Sequence, residues 1–581
     1  MSIFSLHKRR ETAKTQFVTL LVCCLFLAII TSACRTTISV TNQAEFDGLQ
    51  ERLTSTIKAG KTNIRVSLLP GTYIAKEKHI TIKDIDASNT KIRIVGHGAT
   101  LIPEGREYHD GEAYVETFLV GNSWMRGNKD VETWGYVKYA DSLIEILDPE
   151  EKRCRLKCKN SFSDDTDFSN AYILIPHWFQ SSTYKIEKIE GQYIYFTADD
   201  LKESSYGGYN VNDDYNYGKK AIRYKLCNIE TGEDYLRITD GKVHLPNGVT
   251  SAWEGRIHNF LTFRNCKFSS VEIKGIQFWG NAFEDSNPAI YIRNTVSNKI
   301  RIHKCGFYGM RGSIINVSAS PNVKIDNNQF ADTYYYGIWS NNGSANTVVE
   351  KNSFMSMGKR MNNTTCVGCL GTNYRVSDNV FLNFGYGGIR TGVWYKNKMT
   401  QSCSGIIENN DLSYSQDYMD QIDNYSVMDG GAIYIATKNA GSIVRNNYIH
   451  GFSGIKHNRG IFCDDGASNI EIYGNVITNI ANSMCIDSRR VTFVERSNTP
   501  ESGIDRANLN IVIRDNTVDG SIRFEANEDS DNGCVKGTNY ILPSEDGKLP
   551  KMVISNVAHP EEDIVLKYTE TKYKHKHRYL K

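Results

Sequence analysis

Val323-Lys-Ile-Asp-Asn-Asn-Gln-Phe330 is the stretch that decides the fold, because its parts return again and again downstream. A short β-rich run, Val323-Lys-Ile325, leads to Asn328-Gln-Phe330, an Asn with an apolar residue two positions later. The phrase recurs as Asn352-Ser-Phe354, Asn379-Val-Phe381, Asn410-Asp-Leu412, Asn447-Tyr-Ile449, Asn475-Val-Ile477 and Asn516-Thr-Val518, with Cys305-Gly-Phe307 as an earlier variant. Successive third positions, from Phe307 to Val518, are 23, 24, 27, 31, 37, 28 and 41 residues apart. A period in the twenties, stretched by loops but never broken, predicts stacked supersecondary units in place of one globular core.

Upstream, Val66-Ser-Leu-Leu-Pro-Gly-Thr-Tyr73, Ile80-Thr-Ile82, Ile92-Arg-Ile-Val95 and Ala99-Thr-Leu-Ile102 read as the first rungs, being short β runs broken by Gly and Asp. Leu49 to Ile57 has helical character and suits a cap, since an open solenoid end exposes unpaired edges and apolar surface. From 103 to 234 the rhythm disappears into a Tyr-, Asp- and Lys-rich stretch, read as an inserted β-rich subdomain. The chain then divides into a cap and first rungs (35–102), the insert (103–234), the main coil (235–525) and a C-terminal segment with a basic tail (526–581).

Residues 1–34 have the pattern of a secretory leader: Lys8, Arg9, Arg10 and Lys14, an apolar run from Phe17 to Ile30, then Thr31-Ser-Ala-Cys34. That run is shorter than the roughly 20 residues a membrane span needs. The ending resembles the lipobox of bacterial lipoproteins, with Thr31 in place of the usual Leu. The resemblance implies lipidation of Cys34 and a periplasmic, outer-membrane or cell-surface lipoprotein of a bacterium, with a membrane touched only through the lipid. Plain secretion and an uncleaved anchor are the alternatives.

Lys plus Arg total 68 against 66 Asp plus Glu. Neither this balance nor any motif points to a nucleic-acid partner. Eleven cysteines follow Cys34, an odd number that argues against a complete disulfide framework. Cys366-Val-Gly-Cys369 has zinc-like spacing but no second pair nearby, so no metal or other cofactor is expected. Cys266, Cys305, Cys463 and Cys485 read as small buried hydrophobes.

Strand, Asn turn and Gly-Ile strand together resemble the right-handed parallel β-helix of the pectin-lyase-like superfamily, over roughly residues 60–102 and 255–525. The resemblance implies an all-β solenoid whose asparagines stack amide on amide inside the turns. An Asn side chain has two donors and an acceptor and tolerates left-handed backbone, which suits such a turn.

Chemistry is expected on an outward face. In Gly337-Ile-Trp339, Gly388-Ile-Arg390, Ala432-Ile-Tyr434 and Gly460-Ile-Phe462, inward Ile residues leave Trp339, Arg390, Tyr434 and Phe462 facing out. Continuing the alternation puts Asp464 out, and Asp487 out beside it. Two acidic phrases, Met428-Asp-Gly-Gly-Ala-Ile-Tyr434 and Gly460-Ile-Phe-Cys-Asp-Asp-Gly466, fall on adjacent rungs, 35 or 36 residues apart. Paired carboxylates are the apparatus of glycoside hydrolysis. An Asp-Gly turn is the plain alternative.

These phrases also resemble the fucosidase and xylanase type of glycoside hydrolase family 141 and its β-xylosidase relatives. The matching positions are Asp429 to Tyr434, Asn447 to His450, and Gly460 to Gly466, with Phe462 and Cys463 as departures. The resemblance implies Asp429 with Asp464 or Asp465 as the catalytic pair and His450 as a substrate or orienting residue. Tyr434, Arg390, Trp339, Asp487 and Arg459 are read as substrate-binding. A monomer that hydrolyses a polysaccharide or oligosaccharide is the leading reading. A polysaccharide lyase is the second, using Arg390, Lys456 or Arg459 as base, with Asp464, Asp465 and Asp487 holding Ca²⁺ over a uronate. A non-catalytic glycan-binding surface coil is the third.

Overall fold

The computed structural model describes residues 35–76, 80–115, 123–126, 129–130, 138–163, 166, 168–176, 181–198, 223–227, 236–255, 259–280, 288–310, 312–341, 343–358, 364–392, 403–415, 430–436, 438–452, 459–464, 467–480, 484–488, 509–524 and 535–541. They form a right-handed parallel β-helix. Three parallel sheets run its length, with thirteen, twelve and eleven strands. We call them A, B and C, in the order the chain visits them within a turn of coil.

From Val323 to Arg514 each strand of sheet A ends in a two-residue turn that enters sheet B. The first turn residue is left-handed in every copy: Asn327, Lys351, Asp378, Asn409, Asn446, Gly474 and Asp515 have φ between 53 and 67°. The second is the repeated Asn, fully buried. In each turn from Asn328 to Asn475, Nδ2 donates to the Oδ1 of the Asn in the next turn at 2.9–3.0 Å, and the backbone N–H donates to that same oxygen. The ladder satisfies groups that would otherwise be buried without partners. Cys305 joins only through its backbone N–H, which donates to Asn328 Oδ1. The apolar third residue of the phrase points inward on sheet B. Phe278, Phe307, Phe330, Phe354 and Phe381 stack there with centroids 4.6–4.9 Å apart.

The small residue before each sheet C Ile has a separate cause. Gly337, Cys366, Gly388, Ala432, Gly460 and Cys485 occupy equivalent buried places at the corner into sheet C. A Cβ on Gly337 or Gly460 would lie 2.4 or 2.5 Å from the carbonyl oxygen of the next rung. We expect Gly460→Val to cost about 3 kcal/mol, the upper range for overpacking, read as a lowered midpoint in urea.

At the N-terminal end the helix Leu49–Lys58 buries Leu49, Leu53 and Ile57 against the core, the expected cap. A strand the sequence reading did not contain, Arg35–Val40, pairs in parallel with Asn63–Leu68 and adds a piece of rung before Ile64. At the other end the coil runs past 525. Asn539 accepts from Asn516 Nδ2 at 3.0 Å, and Thr517-Val518 pairs with Tyr540-Ile541.

The insert leaves after Pro103. Its seven-stranded antiparallel sheet, within 138–227, closes a core around Leu156, Ile173, Ile194 and Phe196. Antiparallel pairing continues beyond Asp234 to Ser251–Gly255, which lies against Gly105–His109, and the coil resumes with Leu261–Arg264. The insert meets the coil through Leu174 and Cys227, packed on Tyr334 in the turn between sheets B and C.

Ten described cysteines are buried, Cys366 and Cys369 among them, and burial pushes the Cys369 thiol up to about 12. Among the described residues no group of His, Cys, Asp or Glu has metal-binding geometry.

Candidate active site

Sheet C carries the face singled out by the outward alternation. Its register aligns Ile338, Val367, Ile389, Ile433, Ile461 and Ile486 inward. Trp339, Gly368, Arg390, Tyr434, Phe462, Asp487 and Arg523 form one outward column beside them. Outward does not mean exposed here: Arg390 is 6 % exposed, Tyr434 4 %, and Phe462 and Asp487 0 %. The Arg390 guanidinium lies 5.2 Å from the Tyr434 ring centroid and 6.0 Å from that of Trp339, and the Tyr434 and Phe462 rings meet edge to face.

Asp464 follows the strand Arg459–Cys463 and is partly exposed. Its backbone N–H donates to Ile435 O at 2.8 Å, and Tyr434 Oη donates to its Oδ2 at 2.5 Å. Burial, and then the neighbouring Asp464 charge, push the Tyr434 phenol well above its usual range. Tyr434 is therefore a neutral donor at physiological pH, directed at one carboxylate oxygen. That oxygen is held while Asp464 keeps contact with solvent, an arrangement suited to a carboxylate that exchanges a proton or binds a hydroxyl.

Asp487 lies beside Phe462 and not beside Asp464, because Cys463 pairs with Ser488 and carries Asp464 one residue beyond the paired region. It is also engaged. Arg459 Nε donates to its Oδ2 at 2.5 Å, and Arg523 donates to both oxygens at 2.8 and 3.1 Å. Arg459 lies over the Phe462 ring at 4.0 Å. Asp487 and Arg459 thus form a buried ionic knot with Arg523, a residue the sequence reading missed. Nothing short of pairing Phe462 with Asp487 and Asp487 with Arg523 shows it. Asp487→Asn leaves two guanidinium groups facing an amide; breaking a buried ion pair on one side costs ~3 kcal/mol or more, so the thermal midpoint should fall by several degrees.

His450 lies elsewhere, on the outer side of sheet B in the column Leu382, Ser413, His450, Thr478. Its Nε2 is 3.0 Å from Asp411 Oδ1, and its ring stacks on Tyr448 at 4.1 Å. The structure gives it a carboxylate partner, Asp411, that the repeat pattern hid inside the phrase Asn410-Asp-Leu412.

Asp429 and Asp465 lie outside the described residues, as does Cys34.

A family model described as a right handed beta helix region matches residues 261–400. No curated protein matched the sequence. A solved structure titled "Glycoside hydrolase" is similar over 91 % of this chain and 99 % of its own, with 10 % identity and a TM-score of 0.58. The tailspike protein of E. coli bacteriophage HK620 in complex with a pentasaccharide aligns over 87 % of this chain and 67 % of its own at 9 % identity, with a TM-score of 0.34. A family 28 exopolygalacturonase of Yersinia enterocolitica aligns over 89 % and 79 % at 10 % identity, with a TM-score of 0.30. At such identities the likeness concerns the fold alone.

Proposed function

We propose that this chain is a glycoside hydrolase acting outside the cytoplasm, with Asp464 as one of its two catalytic carboxylates. The observation that carries the reading is the Tyr434–Asp464 hydrogen bond at the end of a column of aromatic and Arg side chains. Asp464 is followed by Asp465 and not by Gly, and an Asp that only shapes a turn has no need of a buried phenol directed at its carboxylate. Of the rings in that column Trp339 is the partly exposed one, and its face suits the C–H face of a sugar ring. The second carboxylate is Asp429 or Asp465, chosen by which Asn substitution removes turnover. The full-length glycoside hydrolase likeness in fold supports this reading over an unrelated use of the coil.

The lyase reading loses one of its bases, since Arg459 is held by Asp487. The test is digestion of a polysaccharide panel with and without chelator. Hydrolysis predicts new reducing ends, no ultraviolet-absorbing product and no loss of activity on chelation. An unsaturated, chelator-sensitive product overturns the proposal.

Export through residues 1–34 with a lipid on Cys34 belongs to the same proposal. Labelled palmitate should enter the wild type in a bacterial host and fail to enter Cys34→Ser.

A further inference from the structure

Toward the N-terminal end of sheet C the outward column continues past Trp339, beside a set of cations that the site around Asp464 does not use. Lys83, Arg264 and Arg293 are paired neighbours on three adjacent strands, all exposed. Adjacent rungs are about 4.8 Å apart, and like charges directly opposite one another on neighbouring strands are destabilising. Sheet A shows the ordinary solution. There Arg93 faces Glu272, Arg301 holds Asp326, Lys324 holds Glu350, and Glu408 sits between Arg375 and Arg445. Among the described residues Lys83, Arg264 and Arg293 make no ion pair. The nearby acids are otherwise engaged: Asp84 accepts from Asn265 and Asp86 from Lys267.

Next to these cations runs a stripe of partly exposed residues, one per rung: Tyr291, Asn316 and Trp339. Arg293 Nη1 donates to Tyr291 Oη at 3.4 Å, tying the two columns together. Asn316 Oδ1 is buried without a hydrogen-bond partner, while the residue as a whole is partly exposed. The Trp339 indole lies down over Gly368, where a Cβ would come within 2.3 Å of its Cε3. Glycine there lets the ring lie flat along the sheet, with Tyr336 4.7 Å away. An aromatic–amide–aromatic stripe at rung spacing, which begins on the rung of Arg293 beside cations with no counter-ion among the described residues, is complementary to a chain of rings bearing negative charge.

We propose that these two columns bind an extended anionic glycan, one carrying carboxylate or sulfate groups. The aromatic stripe contacts its rings and Lys83, Arg264 and Arg293 contact its charges. The inference rests on the glycan reading above and adds the class of chain. Affinity electrophoresis of the full chain tests it, in gels containing polygalacturonate or fully methyl-esterified pectin, and chondroitin sulfate or desulfated chondroitin. The expected result is tighter binding to one charged polymer than to its neutral counterpart, weakened at least tenfold in Lys83→Gln/Arg264→Gln/Arg293→Gln and lost progressively with salt. Which polymer binds separates carboxylate from sulfate recognition. All three positions are exposed, so the variant should melt with the wild type. Trp339→Ala should weaken binding to the same polymer by a similar factor. Equal retardation by charged and neutral polymers, wild-type binding by the triple variant, or tighter binding to single-stranded DNA than to any glycan would overturn it. Asp464→Asn should bind as the wild type does, whereas charge-dependent binding by a wild type that turns over no glycan counts against the hydrolase reading and supports this one.

Discussion

Asp464→Asn should lower kcat on the cleaved polysaccharide by at least ~10³-fold while leaving binding within a few-fold of the wild type. General acid–base work by a positioned side chain contributes typically 10²–10⁴-fold, and a covalent role adds to that. The substitution is nearly isosteric and keeps an oxygen for the Tyr434 hydroxyl, so the 2.5 Å contact has a successor and the fold is preserved. Tyr434→Phe is the companion. It keeps the ring between Arg390 and Phe462 and removes only the donor. A hydrogen bond to the charged form favours that form. Its loss should move the acidic limb of the rate profile to higher pH, with a smaller loss of kcat than in Asp464→Asn. A structural role for Tyr434 would lower stability and leave the limb where it was.

Asn410→Ala should be the most destabilising single change in the turn ladder, at about 3 kcal/mol. Asn410 is fully buried. Its Nδ2 donates to Val376 O, Glu408 O and Asn447 Oδ1, and its Oδ1 accepts from both Asn379 N and Asn379 Nδ2. Alanine takes from Asn379 N its acceptor and removes one of the bonds of Asn379 Nδ2 and of Asn447 Oδ1 deep in the coil. Each orphaned buried group costs ~1–3 kcal/mol, partly recovered by relaxation or an entering water. The control is Asn346→Gly, which accepts the left-handed backbone of that position (φ 60°). Asn346 belongs to a second, exposed ladder, Asn322–Asn346–Asn373, where water can replace each lost bond and the cost should stay within about 0.5 kcal/mol. Because a coil unfolds in neighbouring units, hydrogen exchange of the turns at Asn379 and Asn447 should report the damage more locally than a global melt.

The difference between those two ladders also shows what could be read from the amino acids. The buried ladder was legible because every turn imposes the same demand on one side chain and writes it into the sequence at a regular distance. Asn539-Tyr-Ile541 carries the same phrase and was overlooked, since the residues before it are polar and no β run announces the rung. The small residue before each sheet C Ile was visible as Gly-Ile, but its reason was not. Two consecutive inward positions at a corner break the simple alternation from which outward faces were argued. The insert's true extent was hidden for a different reason. Gly105–His109 pairs with Ser251–Gly255 across more than a hundred intervening residues, and such closure leaves no periodic trace.

The site was legible in its columns and not in its chemistry. Alternation correctly aligned Trp339, Arg390, Tyr434 and Phe462, because the inward Ile residues hold the register. It misplaced Asp487, which in unbroken register with Ile486 beside Ile461 falls beside Phe462 and two residues short of Asp464, and it was silent on Arg523 closing round that acid. His450 looked like a neighbour of the acids in sequence, yet the coil turns a corner between sheets B and C and leaves it on another face.

The central claim is that Asp464 serves hydrolysis, and digestion in water enriched in heavy oxygen tests it most directly. Products of the polysaccharide the wild type cleaves would be weighed by mass spectrometry, beside a digest by Asp464→Asn. The account predicts one labelled oxygen incorporated per bond cleaved and no product from the variant above background. Products lighter by one water and free of label would show elimination in place of hydrolysis, and labelled product formed equally by Asp464→Asn would remove Asp464 from the reaction.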